Sequence, residues 1–357
     1  MEISNNLQIQ PLIIQEFFGF MPDGKEVFTY RLGNKNGMEL QLTNYGATLM
    51  ALKVPLKNGK LADVVLGFDS LESYIASFSL PSPPYFGATI GRYAGRISAG
   101  RFTLNGTEYQ LNQNNNGHAL HGGVQGFSQV VWEAEAHQST EGVSVTFKYT
   151  SAHSEEHFPG NLQVQVTYTL TASNEMILKY NAVSDADTIV NLTHHSYFNL
   201  EGHQADILNQ HLFVDAGFAL QTDLENIPNG QFLDLNAYGM SFNPEQKCPS
   251  AIDNTFLVRK SSKPVAALSS TKNQLRMQVF TDQPGIHIYV GGNCFNQIKG
   301  KQDANYHELS GICFEAQHFP DAPNHEHFPS ATLKKGERYT QQTIYKFENL
   351  ADEKDFF

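Results

Sequence analysis

The chain has 357 residues, with 24 Lys and Arg against 36 Asp and Glu, a net charge of −12, and 3 Cys and 14 His. That acidic excess offers no field for a phosphate backbone, which excludes nucleic acid as a partner. Three cysteines, none in a CxxC pair, exclude a disulfide scaffold, and no apolar run approaches the ~18 residues of a membrane span.

Residues 1–6 carry no basic n-region, the first basic residue is Lys25, and the apolar patch at 11–14 is too short for a signal core. The expectation is a soluble, cytoplasmic protein without membrane contact. Asp23-Gly24, Asn36-Gly37 and Asn58-Gly59 then mark turns, because these pairs supply the positive φ of two-residue hairpins. Residues 69–75 read as a short helix, with Asp69 as N-cap and Glu72 three residues on. Thr103 to Tyr109, centred on Asn105-Gly106, is the clearest hairpin.

Val143, Val145, Phe147 and Tyr149 alternate with polar residues, as do Leu162, Val164, Val166, Tyr168 and Leu170. Both are strand patterns with one buried face. No repeat, charge block or low-complexity linker divides the chain, so residues 1–357 read as one large antiparallel all-β domain with few short helices.

Chemistry-bearing residues gather in five polar stretches: the one from Gly91 to Arg96, His118 to Gly123, Asn191 to Asn199, Ala251 to Asn254, and Gly311 to Pro320. A carboxylate in the apolar run Ile312-Cys313-Phe314-Glu315 is costly to bury unless it is paired. A histidine is the natural acid to pair with it. Taken singly, each stretch reads better as satisfied core or surface polarity; their joint occurrence is what points to a site.

Competing motifs are weaker. His153-x-x-Glu156-His157 has the letters of a zinc-protease string, but Phe158-Pro159-Gly160 follows at once and strands flank it, so a solvated turn is the reading. His318, His325 and His327 in a Pro-rich loop are weak evidence for a metal. Gly87, Gly91 and Gly95 fit neither a P-loop nor a dinucleotide fingerprint. Adjacent His194 and His195 on a strand point to opposite faces, so one of them at most meets a given pocket.

In order along the chain, LTNYGA at 42–47, DVVLGF at 63–68, Gly91 to Ile97, LHGG at 120–123, HSYFNL at 195–200 and EAQHFPDA at 315–322 resemble the aldose 1-epimerase family. The resemblance covers nearly the whole chain. It implies a β-supersandwich and a cofactor-free, metal-free isomerase that interconverts the α and β anomers of free hexoses such as galactose and glucose. It implies Glu315 as the base on the C1 hydroxyl and His195 as the acid on the ring oxygen. Arg96, His121, Asp253 and Gln283 would hold sugar oxygens, and Tyr197, two residues beyond His195, would share its strand face and line the pocket. The chain is expected to act as a monomer or weak dimer with a small sugar as its only partner.

Three departures from the family pattern stand near these positions: His194 before the acid, Asn254 after Asp253, and Gly95 beside Arg96. A non-catalytic carbohydrate-binding protein on the same scaffold is the alternative. A glycoside hydrolase would instead need Glu315 and Asp253 as a carboxylate pair. The acidic balance weighs against phosphorylated sugars.

Overall fold

The computed structural model describes residues 12–291 and 297–350; Cys294, residues 1–6 and the start of the 11–14 patch lie outside that range. Every paired strand in its three larger sheets runs antiparallel. The widest sheet has nine strands, in the order Glu133–Gln138, Gly142–Ser151, Leu162–Thr171, Glu175–Ser184, Arg338–Asn349, Leu275–Thr281, Ala266–Ser270, His211–Val214 and Gln246–Lys247. A five-stranded meander spans Leu12–Phe20 to Leu61–Asp63. A six-stranded sheet orders Tyr197–Phe198, Ile312–Gln317, Gly285–Val290, Ile252–Leu257, Phe218–Thr222 and Pro228–Asp234.

The alternations seen in sequence are what build the interior. Val143, Val145, Phe147, Val164, Val166, Leu178 and Tyr180 face inward from the wide sheet. They share one continuous core with Leu40, Leu42 and Leu52 of the meander and with Phe256, Ile286, Ile288 and Phe314 of the six-stranded sheet. The all-β expectation holds: α-helix among the described residues is confined to Leu71–Ser77. No described helix is long and apolar enough to cross a membrane.

Local chemistry explains the smaller elements. The hairpin of Arg101–Leu104 and Thr107–Gln110 turns at Asn105 and Gly106, with φ of 51° and 77°, the left-handed pair that Asn-Gly supplies. The helix is capped one residue later than the sequence suggested. Ser70, not Asp69, has the extended backbone and accepts the Ser73 N–H on its side chain, as an N-cap must. Asp69 instead accepts from the Gln302 amide. The 153–157 stretch is a turn, as expected: Ser154, Glu156 and His157 all have positive φ.

His194 and His195 take opposite faces. His194 is driven into the core, its ring 5.1 Å from Tyr345 and 6.4 Å from Phe198. Burial pushes its pKa down to about 3, with a further push from His195. Unfolded histidine binds a proton near pH 6.5, so between pH 6.5 and about 3 the unfolded chain holds one proton more than the folded chain at this position. Stability therefore falls as pH drops through that window, by on the order of a few kcal/mol from this group. His194→Asn is expected to flatten that part of the stability–pH curve, as read by denaturant midpoints from pH 7 to pH 4; an unchanged slope would refute the assignment.

Candidate active site

A cleft opens where the six-stranded sheet meets the loops around Gly95 and His121, and its walls include Tyr85, Arg96, Asn115, His121, His195, Asp253, His287, Glu315 and Gln317. Glu315 stands in strand Ile312–Gln317, facing away from the core that its neighbours Phe314 and Ile312 fill. It is 2% exposed, and its Oε1 lies 3.6 Å from Nε2 of His195. Its Oε2 is buried with no protein partner, as is Oε1 of Gln317 two residues on. Buried acceptors without partners are costly, so the cleft presents unmet hydrogen-bond demand to a ligand.

His195 is held by its backbone, which donates to Ala88 O and accepts from the Gly87 N–H. Gly87 has φ of +67°, and a Cβ there would meet Leu49 O at 2.0 Å, so this clamp requires glycine. Around the ring stand Tyr85, His121, Tyr197 and Tyr289, with centroids 5.8, 5.4, 5.1 and 6.4 Å away. Nδ1 lies 3.6 Å from the Cys313 sulfur, leaving Nε2 toward Glu315. Burial lowers the pKa of His195, and the Glu315 charge opposes that shift.

Arg96 opens a short strand that pairs with Ala119–Leu120, Leu120 lying opposite Arg96, and His121 follows in the turn with φ of 53°. Arg96 Nε donates to Asn115 Oδ1 at 3.1 Å. The Gly95 N–H donates to Nδ1 of His121 at 3.3 Å. Burial drives the His121 pKa well down, with His195, Arg96 and His287 adding to it. The ring is thus neutral, with its proton on Nε2, a hydrogen-bond donor. His121, His195 and Glu315 have ligand atoms within 4.8 Å of one another and are the one group among the described residues that could converge on a metal ion.

Asp253 reaches the cleft from strand Ile252–Leu257 and is held on both oxygens. His287 Nε2 stands 2.9 Å from Oδ1, and Asn226 Nδ2 donates to Oδ2 at 3.0 Å. Burial would raise the Asp253 pKa, but the His287 bond and charge, with Arg96 and His195, bring it below its ordinary value. Burial likewise lowers His287, and the Asp253 bond and charge, with Glu315, outweigh it and raise the pKa.

The structure brings Glu315, His195, Arg96, His121 and Asp253 onto one cleft. It does not bring Tyr197 or Gln283 to the wall. Tyr197 does sit on the His195 side, but behind it, fully buried between that ring and Phe86 at 5.1 Å from each. Gln283 precedes strand Gly285–Val290 and bonds to Asp282, outside the alternation that aims His287 and Tyr289 into the cleft while Ile286 and Ile288 fill the core. His287, Tyr85 and Gln317 were missed by the sequence reading. The i, i+2 spacing from Glu315 to Gln317 was the available signal for the last of these.

Of the three sequence departures, Gly95 alone lies on the wall. His194 faces the core. Asn254 lies on a separate cleft with Met240 and Phe242. Gly95 has φ of +78° against Pro320 and leaves no room for a side chain.

A family model described as aldose 1-epimerase matches residues 29–346. The chain is 35% identical to human galactose mutarotase over 348 residues, covering 94% of this chain and 98% of the relative. It is 31% identical to an Escherichia coli aldose 1-epimerase, covering 94% and 99%. Among solved structures, an aldose epimerase homologue from C. elegans superposes with a TM-score of 0.82 at 28% identity, covering 94% of this chain and 100% of that one. A galactose 1-epimerase from Lactobacillus acidophilus gives 0.82 at 27%, covering 95% and 100%.

Gly122 is the tightest packed position beside His121: its φ is +92°, and a Cβ would stand 1.9 Å from Gly91 O. Gly122→Ala is expected to destabilise the fold by about 2 kcal/mol or more in denaturant titration; a neutral effect would mean that this loop is not held as described.

Proposed function

The chain belongs to the aldose 1-epimerase family, and from that premise we propose that Glu315 and His195 are the proton-transfer pair of this mutarotase. The enzyme interconverts the α and β anomers of free hexoses such as galactose and glucose. The observation that carries the assignment is the buried Glu315–His195 pair, 3.6 Å apart on the cleft wall, with one carboxylate oxygen unpartnered.

Opening the ring removes the proton from the C1 hydroxyl and adds one to the ring oxygen. Glu315 takes the first; the O–H electron pair becomes the C1=O π bond, and the C1–O5 bond breaks. His195 gives its Nε2 proton to O5 as that pair arrives. After rotation about C1–C2 the roles reverse: His195 takes the O5 proton, O5 adds to the other face of C1, and Glu315 returns its proton to O1. No atom is gained or lost, and the pair ends as it began. Burial that lowers the His195 pKa makes its protonated form the stronger acid for a poorly basic ring oxygen. The negative Glu315 keeps that form accessible.

Arg96 and His121 are proposed as donors to sugar oxygens and Asp253 as an acceptor from sugar hydroxyls, which fits a neutral polyhydroxy substrate. Tyr197 supports the His195 ring from behind. The enzyme is proposed to be cytoplasmic and to work as a monomer or weak dimer.

Polarimetry on freshly dissolved α-D-galactose tests the pair. Glu315→Gln and His195→Asn are each expected to lower kcat by about 10²–10⁴-fold, with the double variant little worse than either. Retained activity in both would overturn the assignment, and saturable galactose binding without any rate effect in the wild type would favour the carbohydrate-binding alternative. Since Glu315 holds the His195 pKa up, Glu315→Gln should move the imidazole titration to lower pH by NMR; an upward shift would contradict the pairing.

A further inference from the structure

The proton-transfer pair and its sugar-holding neighbours leave one histidine of the cleft without a role. His287 lies on the wall, and strand register places it directly between Thr255 and Glu315. Thr255 Oγ1 meets its Nδ1 at 2.9 Å, and its Nε2 meets Asp253 Oδ1 at 2.9 Å. Both ring nitrogens are therefore engaged by the protein. Neither has a free lone pair or proton to offer to C1 or O5, so His287 is not a second base.

What it touches is the carboxylate of Asp253. With His287 on Oδ1 and Asn226 on Oδ2, the carboxylate cannot rotate, and each oxygen keeps about one acceptor direction open. An aspartate side chain 32% exposed would otherwise sample several rotamers and be ordered only when the sugar arrives, at a cost to affinity. Thr255 completes the arrangement by fixing the imidazole plane. The charged groups that face His287 are Asp253, Glu315 and Arg96, with the His121 and His195 rings beyond.

We propose that His287, locked by Thr255, is the positioning residue that pre-orients Asp253 for the sugar hydroxyls and so sets hexose affinity rather than the rate of ring opening. This rests on the reading of Asp253 as a sugar-holding group.

Steady-state polarimetry against galactose concentration tests it. His287→Ala is expected to raise KM by about tenfold or more while kcat stays within about threefold. His287→Gln places an amide N–H near the position of Nε2 and should hold KM within about threefold of the wild type. In an Asp253→Asn background His287→Ala should add nothing, since its effect runs through that carboxylate. Thr255→Val should raise KM by a smaller factor in the same coupled way, and it carries the test if His287→Ala does not fold. The proposal falls if kcat drops as far as KM rises, if the Gln variant is as poor as the Ala variant, or if the effects add to that of Asp253→Asn. A normal KM in Asp253→Asn alone would instead remove the underlying reading of Asp253, and neither result bears on Glu315 and His195.

Discussion

The site depends on the register of three antiparallel strands. Thr255, His287 and Glu315 lie opposite one another across Ile252–Leu257, Gly285–Val290 and Ile312–Gln317, and Asp253 stands two residues before Thr255 on the same face. A slip by one residue would turn every one of these side chains into the core and bring Phe256, Ile286, Ile288 and Phe314 into the cleft. Burying those four apolar side chains is worth roughly 1.5–3 kcal/mol each, so the hydrophobic interior selects the register and the polar row follows from it. Chemistry on one face is thereby held by packing on the other.

Burial sets the electrostatic character of that row. Desolvation lowers His121, His194 and His195, while His287 alone among these is raised, because Asp253 bonds it and Glu315 stands beside it. Two basic groups, Arg96 and His287, here stand beside two carboxyl groups, Asp253 and Glu315. A site with both signs of charge suits a neutral polyhydroxy substrate, and it forms without a dedicated ion pair that would block the Glu315 carboxylate. Elsewhere the molecule does make such a pair: Lys301 and His203 hold Asp63 inside, and despite a burial penalty they bring its pKa to about 2. There both Asp63 and Lys301 are saturated with partners, whereas Glu315 keeps an oxygen free.

Much of this was legible before any coordinates. The alternation at 143–150 and 162–170 and the Asn-Gly pair at 105–106 predict strands and a hairpin that the structure contains, because period and turn chemistry are local properties. The placement of His194 and His195 on opposite faces was legible for the same reason. The helix cap was misplaced by one residue because Asp69 and Ser70 are both able to cap, and only the backbone at Ser70 decides. Gln283 was named from the resemblance alone and His287 was missed, and the reason for the latter lies in the pairing. Which residue of 281–290 faces the cleft depends on where the strand begins, and that is fixed by pairing with residues some thirty positions away. Tyr197 was placed on the correct side of His195, but alternation gives direction and not depth.

The elements divide according to what the reaction demands of them. Glu315 and His195 must exchange protonation states twice without moving, and they sit on a sheet strand and on a segment clamped at Ala88 and Gly87. The sugar, by contrast, must open and rotate about C1–C2 within one binding event. Of its three proposed holders, Arg96 comes from a two-residue strand and His121 from the turn after Ala119–Leu120, while Asp253 is steadied by Asn226 from the connection between Phe218–Thr222 and Pro228–Asp234. That connection also carries Glu225, 3.4 Å from His118. Proton-transfer groups fixed by the sheet and by a clamped segment are what an isomerisation through an open-chain intermediate requires, since the reacting oxygens return to the same two groups while the rest of the substrate changes shape.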